Sequence, residues 1–345
     1  MVNDKVSTLL KSAICNIMYY TGCLNSYRRH KRQGKLEILM YHKVNYGSDP
    51  VCLTVDPDFF QRQIRYLKEN YIIISLAEAV ERFVNETIDR DYVVITFDDG
   101  YRDNYQYAYP ILQEFKVPAT IFITYDAVET GTIGWHRLDK TILDSPNQVL
   151  DLDEFGLGHF SLANRDCREK TLIKLHHYLK KVPDIVRQSV IDYILEAHNN
   201  SYANQRIMLS WDEILEMQQS DLVIIGSHTL THPILTQVPR ATAFWEIGES
   251  KRLLESKIGR TVDFFAYPNG GWEDFDHEIV AMVKESGYRA ACTTISSRQF
   301  SVLEPFILPR RDITTNGCRG INGKFSKEIF SLRVSGMLDG ILFRT

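Results

Sequence analysis

After position 35 the apolar residues come in short continuous runs that alternate with stretches of helical spacing. The runs Leu36–Tyr41, Tyr71–Ser75, Tyr92–Phe97, Ala119–Thr124, Leu222–Gly226, Val262–Ala266, Arg289–Thr293 and Phe306–Arg310 are rich in Val, Ile, Leu and Phe. An apolar run without alternation is what a strand buried on both faces looks like, as in a parallel sheet. Between the runs, Asp58–Glu69, Leu76–Asn85, Asp103–Phe115, Ser210–Gln219, Ala241–Ile258 and Asp274–Ser286 repeat their apolar residues every three or four positions, which predicts helices. Strand–helix alternation repeated this often predicts an α/β protein, either a (β/α) barrel or a doubly wound sheet. Residues 132–209 break the rhythm. They hold no convincing strand and two amphipathic segments, Cys167–Lys181 and Asp184–His198, separated by Pro183, so they predict a helical insertion. No internal repeat or low-complexity tract is present.

The first 35 residues read differently. Val6, Leu9, Leu10, Ala13, Ile14, Ile17, Met18 and Leu24 recur at helical spacing, and Arg28–Arg29–His30–Lys31–Arg32 follows them. The spacing predicts a helix over 5–24 with Val6, Leu10, Ile14 and Ile17 on one face. Two readings stand level: a helix lying on an anionic membrane surface, and an ordinary helix packed on the domain. A third is a lipoprotein signal, because Tyr20–Thr21–Gly22–Cys23 loosely resembles a cleavage box, although Lys11 interrupts the apolar stretch. The expectation is an uncleaved, cytoplasmic protein with peripheral membrane contact through residues 1–35; the alternative is a lipoprotein or exported form.

Composition narrows the function. At 44% hydrophobic and 24% charged, the 345 residues are an ordinary globular mixture, which excludes wholesale disorder, collagen and coiled coil. The formal charge of −4 gives no general case for nucleic-acid binding. The charge is uneven: residues 1–35 hold seven Lys/Arg against the single acid Asp4. The six cysteines (15, 23, 52, 167, 292 and 318) form no CxxC pair and read as free thiols.

Several predicted strands end in reactive side chains. Val93–Phe97 runs into Asp98–Asp99–Gly100; adjacent carboxylates at a strand end point in different directions, so one can bind a metal while the other stays free as a base. Barrel strands collect catalytic groups at their C-terminal ends; the plain alternative is a turn, which Asp and Gly favour. The strand Leu222–Gly226 leads into Ser227–His228–Thr229–Leu230–Thr231–His232–Pro233, where two imidazoles four apart can meet on one ion. With one carboxylate they would leave open coordination positions, as a catalytic metal site requires. His42 ends the first strand. Phe264–Ala266 leaves into Tyr267–Pro268–Asn269–Gly270–Gly271, whose backbone amides could donate to an oxyanion. Arg310 and Arg311 end the last run, and one of them could turn inward to pair with Asp98.

Taken together, Thr96–Gly100, Ser227–Pro233 and Phe265–Gly270 resemble the polysaccharide deacetylase family (NodB homology, carbohydrate esterase family four). The opening Met40–Tyr41–His42–Lys43–Val44 resembles its branch of poly-N-acetylglucosamine deacetylases. The resemblance covers residues 36–127 and 208–314. It implies a distorted (β/α)7 barrel, here with an N-terminal helix (1–35) and an insertion (132–209) within residues 36–345. It also implies a hydrolase that removes acetyl groups from the N-acetylated sugars of a glycan. Residue by residue it assigns Asp99, His228 and His232 to one divalent metal, zinc first and cobalt, nickel or iron otherwise. Asp98 becomes the general base and His42 the general acid, with Tyr267, Pro268, Asn269 and Arg310 around substrate and oxyanion. Many members carry an Arg in the third motif to orient the base; Ala266 stands there in this chain, and Arg310 is the candidate replacement, ahead of Arg311. Other readings are a deacylase of a different acetamide or small cyclic amide on the same scaffold, and a carbohydrate-binding relative without turnover.

Overall fold

The computed structural model describes residues 13–22, 34–47, 51, 53–198, 206–296 and 304–340. Its strands in chain order are β1 (Leu36–Tyr41), β2 (Lys43–Val44), β3 (Thr54–Val55), β4 (Ile72–Ile73), β5 (Tyr92–Phe97), β6 (Ala119–Ile123), β7 (Val149–Asp151), β8 (His159–Ser161), β9 (Val223–Ser227), β10 (Phe264–Ala266), β11 (Ala290–Cys292) and β12 (Arg311–Asp312). Seven of them follow one another in the order β11-β10-β9-β6-β5-β1-β12, with β4 added beside β5, and every pairing among them is parallel. Leu308 makes a parallel bridge to Cys292 on β11, while Arg311 and Asp312 pair with Leu39 and Met40 on β1. The segment 308–312 therefore touches both edges of the sheet and closes it. This is the distorted (β/α)7 barrel the motifs imply.

The staves are buried on both faces, and alternation sorts their side chains. Leu39, Val93, Ile95, Ile121, Ile225 and Phe265 face outward into a large core with the helices Pro57–Asn70, Tyr109–Phe115, Trp211–Gln219, Arg240–Ile258 and His277–Glu285. Ile38, Val94, Phe122, Phe264, Ala266, Cys292 and Leu308 form a second cluster inside the barrel, shared with the helix Leu76–Val84. Successive residues on a strand point to opposite faces. The inward phase of β5 therefore runs Val94, Thr96, Asp98, and that of the closing segment runs Leu308, Arg310, Asp312. The fold delivers the reactive residues to the barrel interior by this parity.

Three sequence expectations need correction. The last strand pairs with β1 at Arg311–Asp312 instead of along Phe306–Arg310, because Pro309 has no N–H for a ladder and interrupts it. Residues 132–209 do contain strand: β7 and β8 form an antiparallel hairpin. Three-residue strands are too short to show alternation, and Val149 is exposed. The two expected helices are present as Arg165–Leu179 and Asp184–Ala197. With a further helix, Gly134–Leu143, they share an apolar cluster of their own that includes Leu138, Ile142, Leu172, Leu175, Val190 and Ile194.

The third concerns the N-terminal helix. Residues 13–20 are helical, while 5–12, 23 and 24 of the expected span lie outside the described residues, as do Val6 and Leu10. Cys15, not Ile17, is the buried position: Cys15, Met18 and Tyr19 pack on Ile329 and Leu332 of the helix Lys327–Val334, and Ile17 is 63% exposed. Tyr20 donates a hydrogen bond to Glu328 (2.9 Å). Cys167 and Cys292 are free thiols, as expected; Cys23 and Cys52 lie outside the described residues. Among the described residues no helix is long and apolar enough to cross a membrane.

Barrel closure leaves no room at Gly226 on β9. A Cβ there would sit 2.5 Å from the Phe122 ring and 3.0 Å from the Phe264 carbonyl oxygen. Gly226→Ala is expected to destabilise the protein by about 1–3 kcal/mol through overpacking, read as a lower denaturant midpoint with an unchanged m-value.

Candidate active site

The base of the site is an ion pair inside the barrel. Asp98 follows β5 and is 1% exposed; Arg310, 2% exposed, reaches it from the closing segment. Both guanidinium arms donate to it, Nη1 to Oδ1 and Nη2 to Oδ2, each at 2.6 Å. Nη1 also donates to Thr96 Oγ1 (3.1 Å) and Nε to the Thr293 carbonyl (2.8 Å), so each nitrogen of the buried cation has a partner. Burial alone would raise the Asp98 carboxyl, but Arg310 outweighs it and the net direction is down, toward the ionised form. Arg311, the next residue, points the other way and pairs with Glu37 (3.2 Å). Of the two arginines, Arg310 is the one turned to Asp98.

Asp99 turns away from its neighbour because it occupies the left-handed region, with φ of 71°. Its Oδ1 lies 3.5 Å from His228 Nε2 and 3.3 Å from His232 Nε2. One ligand atom from each of these three residues falls within 4.8 Å of the others. His228 Nδ1 is 2.8 Å from the Ala266 carbonyl oxygen, which can only accept, so Nδ1 carries the proton and Nε2 presents a bare lone pair. Burial pushes the His228 imidazole down to about 4, which keeps it neutral. Asp99 is held well below the ordinary carboxylate range: burial opposes ionisation, but His232, His42 and His228 favour it more. Asp99 Oδ1 and His232 Nδ1 are buried without a hydrogen-bond partner. Two imidazoles, a carboxylate and an orphaned oxygen at their centre fit a zinc-type ion with open positions. A second trio, Asp151, Asp153 and His159, is wholly exposed on the hairpin.

His42, Asp98, Asp99, His228, His232 and Asn269 all line one cavity at the mouth of the barrel. The third motif is only partly there. Asn269 has φ of 59° and a buried Nδ2 with no partner. Tyr267 belongs to the outward phase: its ring stacks on Phe275, its hydroxyl donates to the Phe306 carbonyl (2.9 Å), and its N–H is spent on the Cys292 carbonyl (3.1 Å). Pro268 has no N–H. Tyr267 and Pro268 are therefore not oxyanion donors here, and Arg310 is committed to Asp98.

Sequence reasoning missed four residues that hold or line the site. Glu246 accepts from the backbone N–H of Leu230 and Thr231 (both 2.9 Å) and from the Thr231 hydroxyl (2.7 Å), pinning the His228–His232 loop. That loop needs pinning, because Thr229 and His232 adopt φ of 66° and 67°. A visible signal existed: Glu246 is an acid on the helix face that carries Ala243, Ile247 and Leu254. Asp103 accepts from Val44 N–H (3.1 Å) and Asn45 Nδ2 (2.6 Å), and Asn104 donates to the His42 carbonyl (2.8 Å), so the loop after β5 fixes the one after β1. Asp312 lines the cavity; burial raises its carboxyl above the ordinary carboxylate range, and His42 offsets that only in part.

A histidine near 4 in the fold and about 6.5 when unfolded binds a proton more readily in the unfolded chain. Its stabilisation is therefore complete above about pH 6.5 and is lost as pH falls toward 4. Metal-free protein is expected to lose about 3 kcal/mol over that window, and His228→Gln to flatten the loss, in urea titrations at stepped pH. Arg310→Met, which leaves Asp98 buried and unpaired, is expected to cost about 3–5 kcal/mol in the same measurement at pH 7.

The polysaccharide deacetylase family model matches residues 85–291. YxkH of Bacillus subtilis, named for a polysaccharide deacetylase, is 36% identical over 134 residues, which are 38% of this chain and 46% of that protein. A poly-β-1,6-N-acetyl-D-glucosamine N-deacetylase of Staphylococcus aureus is 29% identical over 114 residues, 33% of this chain and 38% of the relative. The chain thus spans less than half the length of these curated relatives. The fold is similar to that of Streptococcus pyogenes deacetylase PplD, with a TM-score of 0.55 and 20% identity over 84% of this chain and 96% of that one. IcaB of Ammonifex degensii gives a TM-score of 0.54 at 19% identity, covering 83% and 94%. The family match takes in Asp98, Asp99, His228 and His232 and leaves His42 and Arg310 outside its bounds. On the fold, the gathered site and a match over more than half of its length, the chain belongs to the polysaccharide deacetylase family.

Proposed function

We propose that the protein is a metal-dependent N-deacetylase that removes acetyl groups from the N-acetylated sugars of a polysaccharide or oligosaccharide. One observation carries this reading: a single cavity holds a buried carboxylate fixed by an arginine, a separate carboxylate–imidazole–imidazole triad, and a further imidazole. Asp99, His228 and His232 would hold one divalent ion, zinc in the first instance; when bound it polarises the acetyl carbonyl and lowers the pKa of water.

The chain's own residues do the rest. Asp98, ionised and immobilised by Arg310, takes the proton of the water that attacks the amide carbon. Because both its oxygens are held, the carboxylate is aimed before substrate arrives. His42 passes a proton to the departing amine nitrogen, without which the C–N bond breaks poorly, and Asp312 stabilises the protonated imidazole. Asn269 Nδ2, buried and without a partner, is the side-chain donor for the acetyl oxygen as it gains charge.

Zinc-reconstituted protein is expected to release free amine from N-acetylglucosamine oligomers, and chelation to stop it. Asp98→Asn and His42→Ala are each expected to lower kcat by about 10²–10⁴, with zinc affinity by calorimetry within about threefold of the parent. An Asp98→Asn protein as active as wild type removes Asp98 from the mechanism.

A further inference from the structure

The barrel does not enclose its cavity alone. Trp135, Asp139, His176 and Lys180, all from the inserted layer, line the same space as Asp98 and the metal triad. We propose that this wall is a recognition site for the hydroxyl groups of the sugar unit whose acetamide is being processed, with Asp139 as acceptor and Lys180 as donor. The proposal rests on the deacetylase reading above and extends it to what selects the substrate.

Asp139 is built to be rigid. It is 8% exposed, and His176 Nε2 donates to its Oδ1 at 2.6 Å, leaving the other oxygen for a ligand. Trp135 stacks on His176 at 4.9 Å between centroids and carries the Arg187 guanidinium 5.6 Å from its ring. The tryptophan is thus a brace for the Asp139–His176 pair, not an open stacking platform.

Lys180 ends the helix Arg165–Leu179. Among the described residues its ammonium makes no hydrogen bond or ion pair, though burial and the fields of Asp274, Asp99 and Asp139 act on it. Its three donors are therefore available to a ligand.

An acceptor and a cationic donor on one wall match a neutral group that both donates and accepts, which is a hydroxyl. An anionic sugar would meet Asp139, and a cationic one would meet Lys180. The cavity, about 230 Å³, lies below the size range of pockets for larger ligands, which suits one sugar unit.

The test is equilibrium binding of the N-acetylglucosamine tetramer to zinc-loaded Asp98→Asn protein, alone and combined with Asp139→Asn or Lys180→Met. Each added substitution is expected to raise Kd at least about tenfold, while Kd for acetate, which has no hydroxyls, changes less than about threefold. Asp139→Asn keeps an acceptor for His176, and the Lys180 ammonium makes no hydrogen bond or ion pair among the described residues, so neither substitution removes a contact that holds the fold. An unchanged tetramer Kd overturns the proposal, and so does an equal rise for acetate, which would mark general damage. Wild-type amine release from the tetramer tests the deacetylase reading separately. No release with the binding pattern intact sinks catalysis and leaves the subsite standing; release with an unchanged Kd does the reverse.

Discussion

The pairing of Asp98 with Arg310 is the interaction on which this structure turns. A carboxylate and a guanidinium withdrawn from water are costly unless their geometry is good and every remaining donor is used. Here both arms of the arginine meet both oxygens, and Thr96 and the Thr293 carbonyl accept from Nη1 and Nε, so every nitrogen has a partner. The same arginine lies in the segment that joins the two open edges of the sheet. The segment that closes the barrel is also the one that fixes the Asp98 carboxylate.

Backbone conformation at the mouth follows from what the side chains must do. Asp99, Thr229, His232 and Asn269 all have positive φ, a region non-glycine residues avoid and a β-branched residue avoids most. Left-handed turns at three strand ends swing neighbouring side chains out of register, so that Asp98 and Asp99 serve different partners. Strain of this kind persists only when its surroundings over-determine it. Glu246 does so for the histidine loop, and Asp103 with Asn104 does so for the loop carrying His42.

What was legible in the sequence was local. Strand ends bearing Asp98–Asp99 and His228–His232 stand out because each motif is contiguous and follows an apolar run. Parity along β5 then follows from two-residue alternation. Arg310, the candidate ahead of Arg311, is the one that meets Asp98, but alternation could not carry that choice, because Pro309 breaks it just before them and the partner lies 212 residues away. Glu246 and Asp312 work only through contacts across the fold. Tyr267 sits in the expected motif, yet its parity sends it outward to Phe275. The N-terminal helix shows the same limit: its spacing allows several apolar faces, and the neighbour at Ile329 and Leu332 selects the one carrying Cys15.

The order in which the chain leaves the ribosome gives the seam a further meaning. β5, with its two acids, is made early, and a chain folds from its N-terminal side as it emerges. Until residue 310 is synthesised, Asp98 has no counter-ion, so a burying environment would force it to take up a proton or stay in water. The barrel cannot settle around an ionised Asp98 while the chain is incomplete. An ionised, fixed Asp98 therefore depends on the arrival of the last stave, which carries Arg310.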